Sequence, residues 1–124
     1  MRTPTISAVR GAICVERDDQ ALISQAAQKL YRTLLETNNL DEGMVASLLI
    51  TQTSDLTTLN PATGLRIGGY CASVPLFCMG ELEIAGMMTR VIRMLLTTNC
   101  YVEDLKPVFL DGAERLRPDL FPNP

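Results

Sequence analysis

The sequence predicts a single-domain α+β fold, and three observations support this prediction. The chain has 124 residues, enough to bury one hydrophobic core. One segment has the spacing of a long amphipathic helix, and about five others have the composition of β-strands. A single long helix covers only one face of such a sheet, so we expect the other face to be apolar and buried against further copies of the chain.

The first strand is predicted from Ile6 to Val15, and the long helix follows it. Asp18 or Asp19 supplies the helix N-cap and places acidic charge at the positive end of the helix dipole. The helix is predicted to end near Asn38. Its apolar stripe repeats every four residues: Leu22, Ala26, Leu30 and Leu34.

A second strand is predicted from Met44 to Thr53, and Pro61 can open a short helix in its first turn. The segment from Val74 to Met79 also has an extended pattern, but Pro75 restricts it to an edge or irregular strand. The last two strands are predicted over Thr89 to Thr98 and Lys106 to Leu110.

The predicted domain spans residues 1–124, and residues 112–124 form its C-terminal tail. The tail contains Arg117, followed by a rigid turn at Pro118. Chain ends are usually frayed. This tail is either frayed in the same way or brings Arg117 over an anionic site.

Composition and charge exclude several classes of function. The formal net charge of −3 argues against nucleic acid as the main partner, because phosphate binding favours a basic surface. No apolar run is long enough to cross a bilayer, and the N-terminus lacks a secretory pattern. We therefore expect a cytoplasmic protein with no membrane partner.

The sequence contains no histidine, which excludes catalysis by a Cys–His pair or a Ser–His–Asp triad. The cysteines form no CxxC pair, and zinc sites that mix Cys with His are excluded as well. We therefore expect free thiols, no metal and no cofactor. The cysteines are Cys14, Cys71, Cys78 and Cys100.

Two of the nine arginines, Arg10 and Arg93, lie within apolar, strand-like runs. A guanidinium on an apolar face requires an anion, and its planar fork binds carboxylates through two hydrogen bonds. Either arginine alone could pair with a structural glutamate or lie on an edge strand. Two of them in one small chain favour an anionic ligand.

The motif Cys78-Met-Gly-Glu81 places a thiol and a carboxylate three residues apart. Together they could hold a substrate hydroxyl or offset an arginine. Alternatively, Cys78 is buried and Glu81 is solvated, which is the usual state of these residue types.

Taken in order along nearly the whole chain, these motifs resemble the AroH-type chorismate mutases. The resemblance implies a homotrimer with a pseudo-αβ-barrel fold, in which active sites lie between subunits. The implied reaction is the pericyclic rearrangement of chorismate, a dicarboxylate, to prephenate on the route to phenylalanine and tyrosine. The segments that carry the resemblance are Val9–Asp18, Asp55-Leu56, Pro61-Ala62, Val74–Leu76, Cys78–Glu81, Val91–Arg93, Val108 with Leu110, and Leu116–Leu120.

Such a reaction is compatible with a chain that lacks histidine, because it is unimolecular and needs neither a nucleophile nor proton transfer. By the resemblance, Arg93 would face the breaking ether oxygen and one carboxylate, where it would stabilise developing charge. Arg10 would bind the other carboxylate, and Glu81 with the Cys78 region would hold the ring hydroxyl. The resemblance also implies roles for six further site residues. They are Ala62, Leu76 and Leu116 along the pocket, Phe109 beside Arg10, Arg117 in the tail that closes the pocket, and Arg66 near the entrance.

The sequence departs from the family pattern at four positions. Asn60 precedes Pro61-Ala62, where the family usually has an aromatic residue. Thr63 follows this pair, where the family often has a lysine. Phe77 replaces a small polar residue, and Phe109 replaces a tyrosine that assists the first arginine. These departures motivate one alternative, a non-catalytic relative that binds a dicarboxylate. A second alternative is a RidA-like enamine/imine deaminase on a similar trimer, which also uses an interfacial arginine.

Overall fold

A mixed sheet of five strands forms the centre of the protein, as the computed structural model shows for residues 3–120. Helices α1 and α2 pack against this sheet, which confirms the predicted α+β class. Each of two further segments, Glu42–Met44 and Ala113–Leu116, forms a short 3₁₀ helix. The elements in chain order are β1 (Ala8–Cys14), α1 (Gln20–Thr37), β2 (Val45–Gln52), α2 (Pro61–Ile67), β3 (Leu76–Gly80), β4 (Val91–Thr98) and β5 (Val108–Leu110).

The strands are ordered β3-β2-β4-β1-β5, so β4 lies at the centre of the sheet. Its two neighbours, β1 and β2, both run antiparallel to it, whereas the outer pairs β1–β5 and β2–β3 are parallel. Strand β3 is an edge strand, as Pro75 predicts.

All five strands start later than the sequence pattern predicts, and for three of them the backbone gives the reason. Strand β4 begins at Val91 rather than Thr89, because Arg90 has a positive φ of 53°, which extended chain does not allow. Strand β5 begins only after Pro107, which has no N–H to donate to a ladder. Strand β3 begins at Leu76, directly after Pro75, for the same reason.

Helix α1 begins where the sequence predicts and covers one sheet face. The Asp19 carboxylate caps it by accepting a hydrogen bond of 3.0 Å from the Leu22 amide. Leu30 and Leu34, in its apolar stripe, are fully buried against the sheet. No helix in the described part of the chain is both long and apolar enough to cross a membrane.

Gly11 allows α1 to approach β1 closely. A Cβ atom at this position would lie 2.9 Å from Leu30 Cδ1 and 3.1 Å from the Val108 carbonyl oxygen. No side chain fits there without movement of α1 or β5. A glycine directly after Arg10 is therefore required by packing on the helical face of the sheet.

The loop that leads from β2 to α2 is fixed by Asp18. Its carboxylate accepts hydrogen bonds from the amides and hydroxyls of both Thr57 and Thr58, at 2.7 to 3.1 Å. These bonds, the one from the Thr57 hydroxyl foremost, lower the pKa of Asp18 to about 2. The chain after β1 and the chain before α2 are thereby held together.

The sheet face opposite the helices is partly covered and partly open. At one end the segment Ala113–Leu116 folds beneath the sheet, and Ala113 is fully buried with Ala12 and Val91. Residues 113–116 of the expected tail are therefore packed, and residues 121–124 lie outside the described part. At the other end Leu49, Leu95 and Phe77 are exposed, as expected for an apolar face that the helices leave uncovered.

Candidate functional site

Strand register places Arg10 and Arg93 on the same face of the sheet, opposite the helices. Arg10 pairs with Leu95 and Ala12 pairs with Arg93 across β1 and β4. The two arginines are therefore diagonal neighbours, a relation in which Cα atoms lie about 7–8 Å apart. Two cations at that spacing suit a ligand that carries two anionic groups.

A cavity of about 270 Å³ opens in front of the two arginines. Its other walls are mostly apolar, and the C-terminal segment closes one side with Leu116 and Arg117. Phe109 lies beside Ala12 in the β1–β5 pairing and lines the same cavity. An apolar wall with a few convergent charges is typical of sites for small organic ligands.

The Glu81 carboxylate contacts both Arg93 and Thr51. The Nε atom of Arg93 lies 3.2 Å from Glu81 Oε2, and the Thr51 hydroxyl donates to the same oxygen at 2.8 Å. The side chain of Arg93 is 45% exposed, whereas that of Glu81 is only 13% exposed. The pair therefore presents the guanidinium to the cavity, with the carboxylate set behind it.

Arg10 has no comparable partner among the residues that the structure describes. Its side chain makes no ion pair and no side-chain hydrogen bond with any residue from 3 to 120, and it is exposed. A strand arginine that faces a cavity without a counter-ion is available to bind an anion.

Arg117 reaches the edge of the cavity but is paired within its own segment. It binds Asp119 through two parallel contacts, from Nε to Oδ1 at 3.0 Å and from Nη2 to Oδ2 at 2.8 Å. This pairing raises the pKa of Arg117 and lowers the pKa of Asp119. Both side chains are thus held in their charged forms.

The other predicted site residues lie around a second cavity of about 320 Å³, lined by Ala62, Arg66, Leu76 and Cys78. Asn60 and Phe77, two of the departures from the family pattern, line it too. Asn60 has a structural role here, because its side chain caps α2 by accepting a hydrogen bond of 2.8 Å from the Ala62 amide.

The structure does not bring Cys78 and Glu81 together within one chain. Cys78 pairs with Ile50, which is fully buried on the helical side, and the thiol shares that side of the sheet. Glu81 lies with Arg93 on the opposite side. Within one chain the two side chains therefore lie on opposite sides of the sheet, and their joint action on a ligand stays a prediction.

The cysteines form no disulfide in the described part of the chain, and burial disfavours the charged form of three of them. Desolvation raises the pKa of Cys14 and Cys78, and it raises the pKa of Cys71 to about 11. A thiolate nucleophile requires a lowered pKa, so these three cysteines lack the environment of a catalytic thiol.

Seven residues that line the cavity of the two arginines were not predicted as site residues: Gly11, Ala12, Leu49, Thr51, Met79, Met94 and Leu95. Leu49 and Thr51 alternate along β2, and this alternation is a signal that they share one face. Only the strand order shows that this face is also the face of the arginines.

Comparisons with known proteins place this geometry in context. The family model described as chorismate mutase type I matches residues 6–120. The chain is 32% identical over 117 residues to the chorismate mutase AroH of Bacillus subtilis (strain 168), covering 93% of this chain and 92% of that protein. It is 38% identical over 119 residues to the chorismate mutase AroH of Thermus thermophilus, covering 93% and 96%. A solved structure, the chorismate mutase from Clostridium thermocellum, superposes with a TM-score of 0.82 at 33% identity and covers 88% of this chain and 98% of that one.

Proposed function

Because the chain belongs to the type I chorismate mutase family, we propose that its two-arginine face binds chorismate and promotes the rearrangement to prephenate. The chain is thus a chorismate mutase, an isomerase of aromatic amino acid biosynthesis. The comparisons favour neither of the two alternatives, the non-catalytic dicarboxylate binder and the enamine/imine deaminase. We propose a cytoplasmic location, which suits a biosynthetic enzyme of this kind.

The observation that carries the proposed mechanism is the diagonal placement of Arg10 and Arg93. A dicarboxylate that bridges both guanidinium groups is held in a compact conformer, which brings the two ends of the rearranging system together. Arg93 is then aimed at the ether oxygen, where negative charge develops as the bond breaks. Glu81, beside it, accepts a hydrogen bond from the ring hydroxyl.

We further propose that each active site is shared between two protomers of a homotrimer. The arginine cavity of one protomer would be completed by the cavity of its neighbour that contains Ala62, Arg66, Leu76 and Cys78. Two observations support this arrangement. The site residues expected from sequence divide between two cavities of one chain, and apolar side chains remain exposed on the arginine face.

The first experiment follows the ultraviolet absorbance of chorismate with wild type and with Arg93→Ala. Wild type should consume chorismate. The variant should lose about 2.7–4 kcal/mol of transition-state stabilisation, comparable to a lost oxyanion donor, which lowers kcat by about 10²- to 10³-fold. Arg93→Lys, which keeps the charge but not the fork, should fall between them. A trimeric, folded wild type without turnover would contradict the proposal.

The shared site is tested by mixing two defective variants. Arg93→Ala damages the arginine cavity, and Arg66→Ala damages the other cavity. In a mixed trimer, a site is intact where an Arg66→Ala chain supplies the arginine cavity and its neighbour, an Arg93→Ala chain, supplies the other cavity. Random mixing at equal amounts should restore about a quarter of wild-type activity. Activity that stays at the level of the separate variants would indicate that each site belongs to one chain.

A further inference from the structure

We propose that Thr51 is a positioning residue for the rearrangement, because its hydroxyl determines how Glu81 and Arg93 meet. This inference rests on the proposed function of the arginine face. The Thr51 hydroxyl donates to Glu81 Oε2 at 2.8 Å, and Arg93 Nε lies 3.2 Å from that same oxygen. One carboxylate oxygen therefore serves both neighbours.

The position of Thr51 follows from the sheet. It pairs with Arg93 across β2 and β4 and with Met79 across β2 and β3. The main chain of Glu81 is tied to the same strand, since its amide donates to the Gln52 carbonyl at 2.9 Å. The backbone of Glu81 is thus fixed by β2, and the Thr51 hydroxyl fixes the orientation of the carboxylate.

Because Thr51 and Arg93 both contact Oε2, the Glu81 carboxylate and the Arg93 guanidinium each keep polar atoms that can bind a ligand. Within residues 3–120, Glu81 Oε1 accepts no hydrogen bond, and neither Nη group of Arg93 donates a hydrogen bond to the carboxylate. The other carboxylate oxygen can therefore accept from a ligand hydroxyl. The two Nη groups of Arg93 can donate to an ether oxygen or a carboxylate.

Without the Thr51 hydroxyl, no hydrogen bond to Oε2 fixes the orientation of the Glu81 carboxylate. Arg and a carboxylate favour a fork in which both oxygens bind two nitrogens of the guanidinium. That fork would occupy both Oε1 of Glu81 and an Nη group of Arg93. Thr51 thus keeps Glu81 and Arg93 beside each other while preventing their mutual saturation.

The test compares Thr51→Val, which keeps the shape, with Thr51→Ser, which keeps the hydroxyl. Thr97→Val is the matched control, because Thr97 lies on the same face of the sheet and its hydroxyl makes no hydrogen bond within residues 3–120. For Thr51→Val we expect kcat to fall by about tenfold, the rate equivalent of one hydrogen bond to a charged group. The KM should change less, and Thr51→Ser and Thr97→Val should stay near wild type.

Two results would overturn the proposal. One is an unchanged kcat in Thr51→Val, and the other is an equal loss in Thr51→Ser, which would assign the effect to packing. A crystal structure of Thr51→Val provides a readout independent of turnover. It should show both Glu81 oxygens on Arg93, and persistence of the single contact would contradict the role of Thr51. Failure of wild type to convert chorismate would instead contradict the proposed function.

Discussion

Arg10 and Arg93 occupy one sheet face as diagonal neighbours, yet within residues 3–120 only Arg93 has an acidic partner. The two side chains are therefore prepared differently for a ligand. Arg93 is oriented before binding by Glu81, whereas Arg10 can reorient toward an incoming carboxylate. The side chain of Arg93 is 45% exposed, so solvent screens its ion pair with Glu81, and we expect the pair to contribute more to orientation than to folding stability.

Removal of Arg10 should weaken binding without weakening the fold. Arg10→Ala leaves no described group unpaired, so its free energy of unfolding should stay within about 0.5 kcal/mol of wild type. The KM for chorismate should rise by about tenfold or more, the equivalent of a lost bond to a charged group. Steady-state kinetics and urea unfolding measure the two effects. Arg10→Lys is the control, and an unchanged KM in Arg10→Ala would remove this residue from the binding site.

A side chain at position 11 should be costly. Gly11→Ala forces a Cβ atom against Leu30 and the Val108 carbonyl oxygen. The free energy of unfolding should fall by about 1–3 kcal/mol, as for other overpacked sites. Gly80→Ala is the matched control, because a Cβ there meets nothing within 4 Å. Urea unfolding of both variants should separate them, and equal stability would show that α1 and β5 can move apart freely.

The Asp18 carboxylate should give stability a dependence on acid pH. Its pKa is lowered to about 2 in the folded protein, so the unfolded chain takes up the proton first as the pH falls. The stabilisation is fully present above about pH 4, the usual value for aspartate, and is lost as the pH falls through about 2.

Asp18→Asn cannot lose a proton, so it should be less stable than wild type at pH 7. The gap between their urea midpoints should narrow steadily from pH 4 toward pH 2. Asp41→Asn serves as control, because the Asp41 side chain accepts no hydrogen bond in the described part of the chain. A gap that stays constant with pH would contradict the role of the Asp18 charge.

Phe109→Tyr restores the hydroxyl that the family pattern has at this position. Phe109 lines the arginine cavity, so the added hydroxyl can donate to a bound carboxylate. We expect the KM for chorismate to fall by about two- to tenfold, the range for one net hydrogen bond. Phe109→Leu, which adds no hydroxyl, should not lower the KM. An unchanged or higher KM in Phe109→Tyr would indicate a cavity adapted to the phenylalanine.

Periodicity was sufficient to predict α1, its cap and the strands, since these depend on residues close in sequence. Register was not predictable, because it depends on which strands meet. Thr51 is a site residue because β2 pairs with β4, and the sequence pattern does not predict that pairing. For Cys78 and Glu81, by contrast, the sequence spacing was enough to predict their relative placement. Their three-residue spacing already places them on different faces of an extended chain, and the structure confirms that separation.

The open sheet face has a consequence for how the protein behaves on dilution. Leu49, Leu95 and Phe77 remain in contact with water in the single chain, beside the cavity that contains both arginines. If neighbouring copies cover these side chains, part of the free energy of folding comes from association. The melting temperature should then rise with protein concentration, and a dilute sample should unfold at lower temperature than a concentrated one.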